Sequence, residues 1–230
     1  MNKLAKELIK ENSFEFLSKY QKINIRDDKK SYQEIIVTTK NLISTSLEQA
    51  KENLENGNYK GSECAEKIAL LYDKVIKNYY NYLCTNNFFS QNKTDYEKLA
   101  IIATGGYGRG KLSPGSDIDL LFLMPFKKTA WAEKITENLL YFLWDLGLKI
   151  GHASRNINEC IALSAQDQTI TTSLLDARYI CGDKEVNDVF EKKFRKKISK
   201  RSSKEFIDAK LEERENRHNK EGQSRYLVEP

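Results

Sequence analysis

The chain has 230 residues, with 38 lysines and arginines against 33 aspartates and glutamates, a net charge of +5, and 40% hydrophobic residues. That length holds one large or two small domains with a real core. The modest charge leaves room for an anionic ligand and speaks against a dedicated nucleic-acid binder, so nucleic acid is not expected as a partner.

The first segment, MNKLAKELIKENSFEFLSKY, has lysines but no continuous apolar stretch of the kind a signal peptide carries. No apolar run reaches the length of a membrane span. Cys64, Cys84, Cys160 and Cys181 form no C-x-x-C pair and sit near no histidine at zinc spacing. Free thiols, a reducing compartment and a cytoplasmic location are expected.

Everything before about residue 95 reads as helix. IVTTKNLISTSLEQAKENLEN (36–56) and SECAEKIALLYDKVIKNYYNYLC (62–84) repeat apolar residues every three or four positions, with Asn56-Gly57-Asn58 between them. TNNFFSQNKTD (85–95) reads as a loop. KLAIIAT (98–104) and IDLLFLM (118–124) are short, apolar and β-branched, hence buried strands. After Pro125, Thr129 can cap a helix whose apolar face is Trp131, Ile135, Leu139, Phe142, Leu143 and Leu146, ending at Gly147. LKIGHASR (148–155) is a third strand. Helices are expected over 158–167, over 169–180 and through a charged stretch from Lys184 to about Asn219. Within it, KKFRKKISKRSSK (192–204) reads as a solvated basic face. The expected fold is α+β: a small mixed sheet flanked by helices, with helical N- and C-terminal segments. The expected divisions are 1–95, a helical segment packing on the core; 96–183, the core; and 184–230, a charged helical segment opening an incomplete helical region.

The two first strands are joined by GGYGRGKLSPGS (105–116). This resembles a Walker A loop until Lys111, which needs a following hydroxyl for magnesium and a helix directly after it. Here Leu112 follows, then Ser113-Pro114-Gly115 and another strand. The dinucleotide fingerprint fails as well, because position 111 is not glycine.

The next residues give the loop its meaning. Asp117 and Asp119 alternate on a strand, so both carboxylates face one side, roughly 6.5–7 Å apart. Their neighbours are apolar, and two carboxylates in such surroundings repel unless a cation neutralises them. Oxygen ligands favour Mg2+ or Mn2+, and a metal pair about 3.5–4 Å apart clamps a transferring phosphoryl group. Gly105 and Gly106 bare their backbone N–H groups to phosphate. Ser116 can donate a hydroxyl, and Arg109 and Lys111 can offset charge on a leaving pyrophosphate.

Strand, Gly-Gly, spacer and Ser-Asp-x-Asp together resemble the polymerase-beta-like nucleotidyltransferase superfamily. GGYGRGKLSPGSDIDLLFL, WDLGLKIGHASRNINEC (144–160) and QTITTSLLDARYICGD (168–183) resemble the N-terminal domain family of bifunctional uridylyltransferase/uridylyl-removing enzymes, as does the ending RYLVEP. The resemblance implies that UTP and Mg2+ bind at Gly105, Gly106, Ser116, Asp117 and Asp119. It further implies UMP transfer to a tyrosine of the nitrogen regulatory protein PII. The superfamily often takes a third carboxylate from the next strand; here that strand holds His152 and no acid, which leaves the general base open with His152 as a candidate. The only histidines, His152 and His218, precede Ala153 and Asn219, so no His-Asp pair exists for the removing reaction. Other nucleotidyl transfers, and nucleotide or PII binding without transfer, remain as alternatives.

Overall fold

A computed structural model describes residues 11–20, 28–85 and 96–198, with single helical positions at Ile207, Leu211 and Glu215. Thr85, expected to open a loop, is the last residue of a helix, while the rest of that loop (86–95), most of the segment beyond 198, and His218 lie outside the described residues. A 3-10 segment, Glu11–Tyr20, leads into two long helices, α1 (Lys29–Glu55) and α2 (Gly61–Thr85). Then come β1 (Ala100–Ala103), a single helical turn α3 (Gly105–Gly108), β2 (Ile118–Met124), α4 (Ala130–Asp145) and β3 (Ile150–Asn156). The chain continues through α5 (Ile157–Gln166), α6 (Gln168–Leu175), β4 (Arg178–Gly182) and α7 (Lys184–Ile198).

The four strands form one mixed sheet in the order β3-β2-β1-β4. β1 runs antiparallel to both β2 and β4, while β2 and β3 are parallel. α4 makes the crossover that a parallel pair requires. The expected α+β class, with a small mixed sheet inside helices, is what the structure shows.

The alternation of side chains along the strands splits the core into two halves. Ile101 and Ala103, with Ile118, Leu120, Phe122 and Met124, face one way, onto α1, α2 and α4. Ala100 and Ile102, with Leu121 and Leu123, face the other way, onto α5, α6 and α7. The N-terminal helices share the first of these clusters with the sheet. Tyr79 of α2 stacks on Phe142 of α4 with ring centroids 3.5 Å apart, which ties the two helices above β2.

Local signals explain most boundaries. Thr129 caps α4 through the Ala132 amide, and the six apolar residues expected on that helix are all buried. Asn156 and Glu159 form a capping box that turns β3 directly into α5. One expectation is corrected. The helix over 169–180 stops at Leu175, and Arg178–Gly182 becomes the edge strand β4. The Tyr-Ile-Cys run suits a strand, and pairing with β1 outweighs the helical spacing. The basic run begins on α7, where Phe194 is buried and Lys192, Lys193, Arg195, Lys196 and Lys197 are exposed, as a solvated face requires.

Phe142→Ala is expected to cost about 3–5 kcal/mol, as deletion of a fully packed ring does. Trp144→Ala, on the exposed side of the same helix, is expected to cost under about 1 kcal/mol. Urea unfolding of the two variants checks this.

Candidate active site

Asp117 lies just before β2 and is exposed; Asp119 is on the strand and half-buried. The Asp119 side chain is wedged between two glycines, Gly105 at the start of the α3 turn and Gly151 of β3. A Cβ on Gly105 would sit 2.8 Å from Asp119 Oδ2, and one on Gly151 only 2.3 Å from Oδ1. Gly105 also has φ +56, a conformation that other residues adopt at a cost. The Thr104 amide donates to the Asp119 backbone oxygen at 3.0 Å, which locks the start of the glycine turn to β2.

Among the described residues, neither carboxylate makes a side-chain hydrogen bond or ion pair, although Asp119 is half-buried. Burial, and then the charge of Asp117, push the Asp119 carboxyl above its usual range. Two neighbouring carboxylates without side-chain partners among the described residues, one of them set between glycines, fit a divalent cation, for which oxygen donors and space are the requirements. Among the described residues no group of three or more His, Cys, Asp or Glu gathers.

The glycine stretch is more regular than a loop: Gly105–Gly108 make one helical turn with Thr104 at its cap. Leu112, where a Walker A loop carries a hydroxyl, is buried and its amide donates to the Ala65 carbonyl at 3.0 Å. Ser116 is exposed in the turn that follows, and its amide bonds back to the Ser113 oxygen. Arg109 pairs with Asp176 at 2.8 Å and Lys111 with Glu66 at 3.3 Å, both at the surface.

His152 falls on the other side of the sheet from Asp119. It stands opposite Leu120 in the parallel register, while Asp119 stands opposite Gly151. His152 borders the cavity at the strand edge, yet its ring meets Trp144 edge-on at 5.9 Å. The structure does not bring this histidine to the carboxylates, because one residue along a strand is one change of face.

Sequence reading missed what holds the turn in place. Asp73 of α2 accepts from the Tyr107 hydroxyl at 2.6 Å and from Arg178 of β4 at 2.6 and 3.0 Å. The Arg178 guanidinium lies 5.4 Å from the Tyr107 ring centre. Burial, reinforced by the Asp73 charge, keeps the Tyr107 phenol protonated far beyond neutral pH. Burial acts to lower the Arg178 pKa, but the Asp73 hydrogen bond and charge outweigh it and raise it. The three residues are separated by 34 and 71 positions in sequence, so no local pattern announces them.

Residues 86–177 match the family described as nucleotidyltransferase domain, and the chain thus carries a nucleotidyltransferase domain. Over 181 residues it is 50% identical to the bifunctional uridylyltransferase/uridylyl-removing enzyme of Phenylobacterium zucineum (strain HLK1). That alignment takes in 79% of this chain and 19% of the relative, so the chain spans about a fifth of the relative's length. Among the described residues, no helix is long and apolar enough to cross a membrane.

Asp73→Ala is expected to cost about 2–3 kcal/mol, below the 3–5 typical of a fully buried pair, because Arg178 is left without its partner. A double-mutant cycle with Arg178→Met should show a coupling of at least about 1 kcal/mol. Asp119→Asn should raise the thermal midpoint of the metal-free protein by roughly a degree or two at pH 7. The sign follows from linkage. A carboxyl with a raised folded-state pKa penalises the fold above that pKa, and the penalty vanishes as pH falls below the unfolded value of about 3.9. Melting curves of both proteins from pH 7 to pH 3.5 should therefore converge at the acid end.

Proposed function

We propose that this domain transfers UMP from UTP to a tyrosine hydroxyl of the nitrogen regulatory protein PII, in the cytoplasm, with release of pyrophosphate. One observation carries the proposal: a half-buried, unneutralised Asp119 beside Asp117, pinched between Gly105 and Gly151 within a matched nucleotidyltransferase domain. The similarity to a uridylyltransferase supports UTP as donor and PII as acceptor.

Asp117 and Asp119 would hold the metal, Mg2+ with Mn2+ as a substitute. When bound, a divalent ion neutralises the carboxylates and the polyphosphate and makes the α-phosphorus more electrophilic. Gly105 and Gly106 let the backbone approach the phosphates closely, and Ser116 adds a hydroxyl. Arg109 and Lys111 are held only by surface ion pairs, which are worth little, so both can turn toward the departing charge. The tyrosyl oxygen forms the new bond to the α-phosphorus, and its proton passes to solvent water. The bond to the β-phosphate oxygen breaks, and pyrophosphate leaves with that electron pair. His152, packed on Trp144 across the sheet, is not assigned the proton. Residues 96–183 form the transferase core in this reading, with 1–95 as its support.

Label from α-labelled UTP should appear on PII with Mg2+ and the native chain. Asp119→Asn should reduce the rate at least about 100-fold, the scale of losing a principal electrostatic group in the transition state. Retention of label transfer in that variant, or no transfer by the native chain to a competent PII, would sink the reading.

A further inference from the structure

The cavity that holds Asp119 does not end there. It has a volume of about 320 Å3 and continues along β3 to Arg155 and Ser173, between walls that include Ala153, Ile170 and Leu174. The parallel register pairs Asp119 with Gly151 and Leu123 with Arg155. Alternation then puts Arg155 on the carboxylate face, four residues or about 13 Å along the strand from Gly151. Arg155 is half-buried. Among the described residues, neither its guanidinium nor the Ser173 hydroxyl makes a hydrogen bond or ion pair. Asp167 feels the Arg155 charge only through space. A partly sheltered guanidinium with no partner is a costly group, and it is offered to whatever fills the cavity.

The position decides what that is. The glycine turn follows β1 and faces Asp119 from one side, so the polyphosphate belongs there. The nucleoside must then leave the α-phosphorus on the opposite side, along β3. Apolar walls with a few polar groups at the end suit the flat faces and polar edge of a base. Arginine donates hydrogen bonds and accepts none. It pairs with a ring carbonyl and opposes an exocyclic amine. Uracil presents two carbonyl oxygens with an N–H between them, while cytosine and adenine present an amine.

We propose that Arg155, aided by Ser173, reads the pyrimidine edge of the nucleotide and selects uracil over amino-bearing bases. The inference rests on the nucleotidyl-transfer reading of the same site and adds the residue that chooses the nucleotide.

The test is calorimetric titration of the full chain with UTP, CTP and inorganic pyrophosphate in Mg2+, without acceptor, so that binding is read apart from transfer. The native chain should bind UTP at least about tenfold more tightly than CTP, as a site built around hydrogen bonds to one edge does. Arg155→Gln, which offers both a donor and an acceptor, should lose that preference and leave pyrophosphate affinity unchanged. Ser173→Ala, a gentler change, should narrow the preference several-fold and serves if Arg155→Gln does not fold. Equal affinity of the native chain for UTP and CTP overturns the proposal, as does a preference that survives in Arg155→Gln. A parallel loss of UTP and pyrophosphate affinity also overturns it, since Arg155 would then be a phosphate contact. Uracil preference without label reaching PII sinks the acceptor assignment and leaves Arg155 as the reader. Transfer to PII with no base preference does the reverse.

Discussion

Asp119 is a carboxylate taken partly out of water and, among the described residues, given no hydrogen-bond or ion-pair partner for its side chain. Burial and the Asp117 charge both act against its ionisation. Much of the surrounding architecture keeps that arrangement from relaxing. Gly105 and Gly151 leave room for the carboxylate but supply nothing to pair with it. The strand that carries Asp119 is central in the sheet and packed on both faces, so the side chain cannot swing to solvent by moving its backbone. The fold thereby keeps an unfavourable charge in place for a ligand to neutralise, a cost that proteins bear at sites of function.

The glycine turn needs its own support, since a stretch with four glycines has little intrinsic order. Three contacts supply it. The Thr104 amide bonds to β2, the Leu112 amide bonds to α2, and the Asp73–Tyr107–Arg178 network joins α2, the turn and β4. The N-terminal helices thus do more than cover the sheet. Asp73 of α2 reaches the turn directly, and Tyr79 of the same helix packs on the helix that links β2 to β3. Support of this kind positions donors before a ligand arrives, which is where much of an electrostatic site's effect originates.

Local physics made much of this readable in the sequence. β2 and the apolar face of α4 follow from apolar spacing, and the start of α4 from Thr129; strand alternation applies to Asp119 but not to Asp117, which lies just before β2. The misses have a common cause in long-range pairing. β4 is recognisable as a strand only beside β1, and its first three residues, Arg178–Ile180, also fit the tail of the helix expected over 169–180. Gly151 matters because register places it against Asp119, and Asp73 because α2 crosses above the turn. His152 looked available because it is polar and on the right strand. One residue of register sends it to Trp144 instead, and the same register brings Arg155 to the carboxylate side.

The central requirement of the site is a metal at the carboxylate pair. Manganese titration followed by electron paramagnetic resonance, with a non-transferable UTP analogue present, tests this most directly. Saturable binding of Mn2+ to the native chain is expected, lost in Asp119→Asn and weakened in Asp117→Asn. Equal Mn2+ binding by the native chain and Asp119→Asn, or none by the native chain, would contradict it.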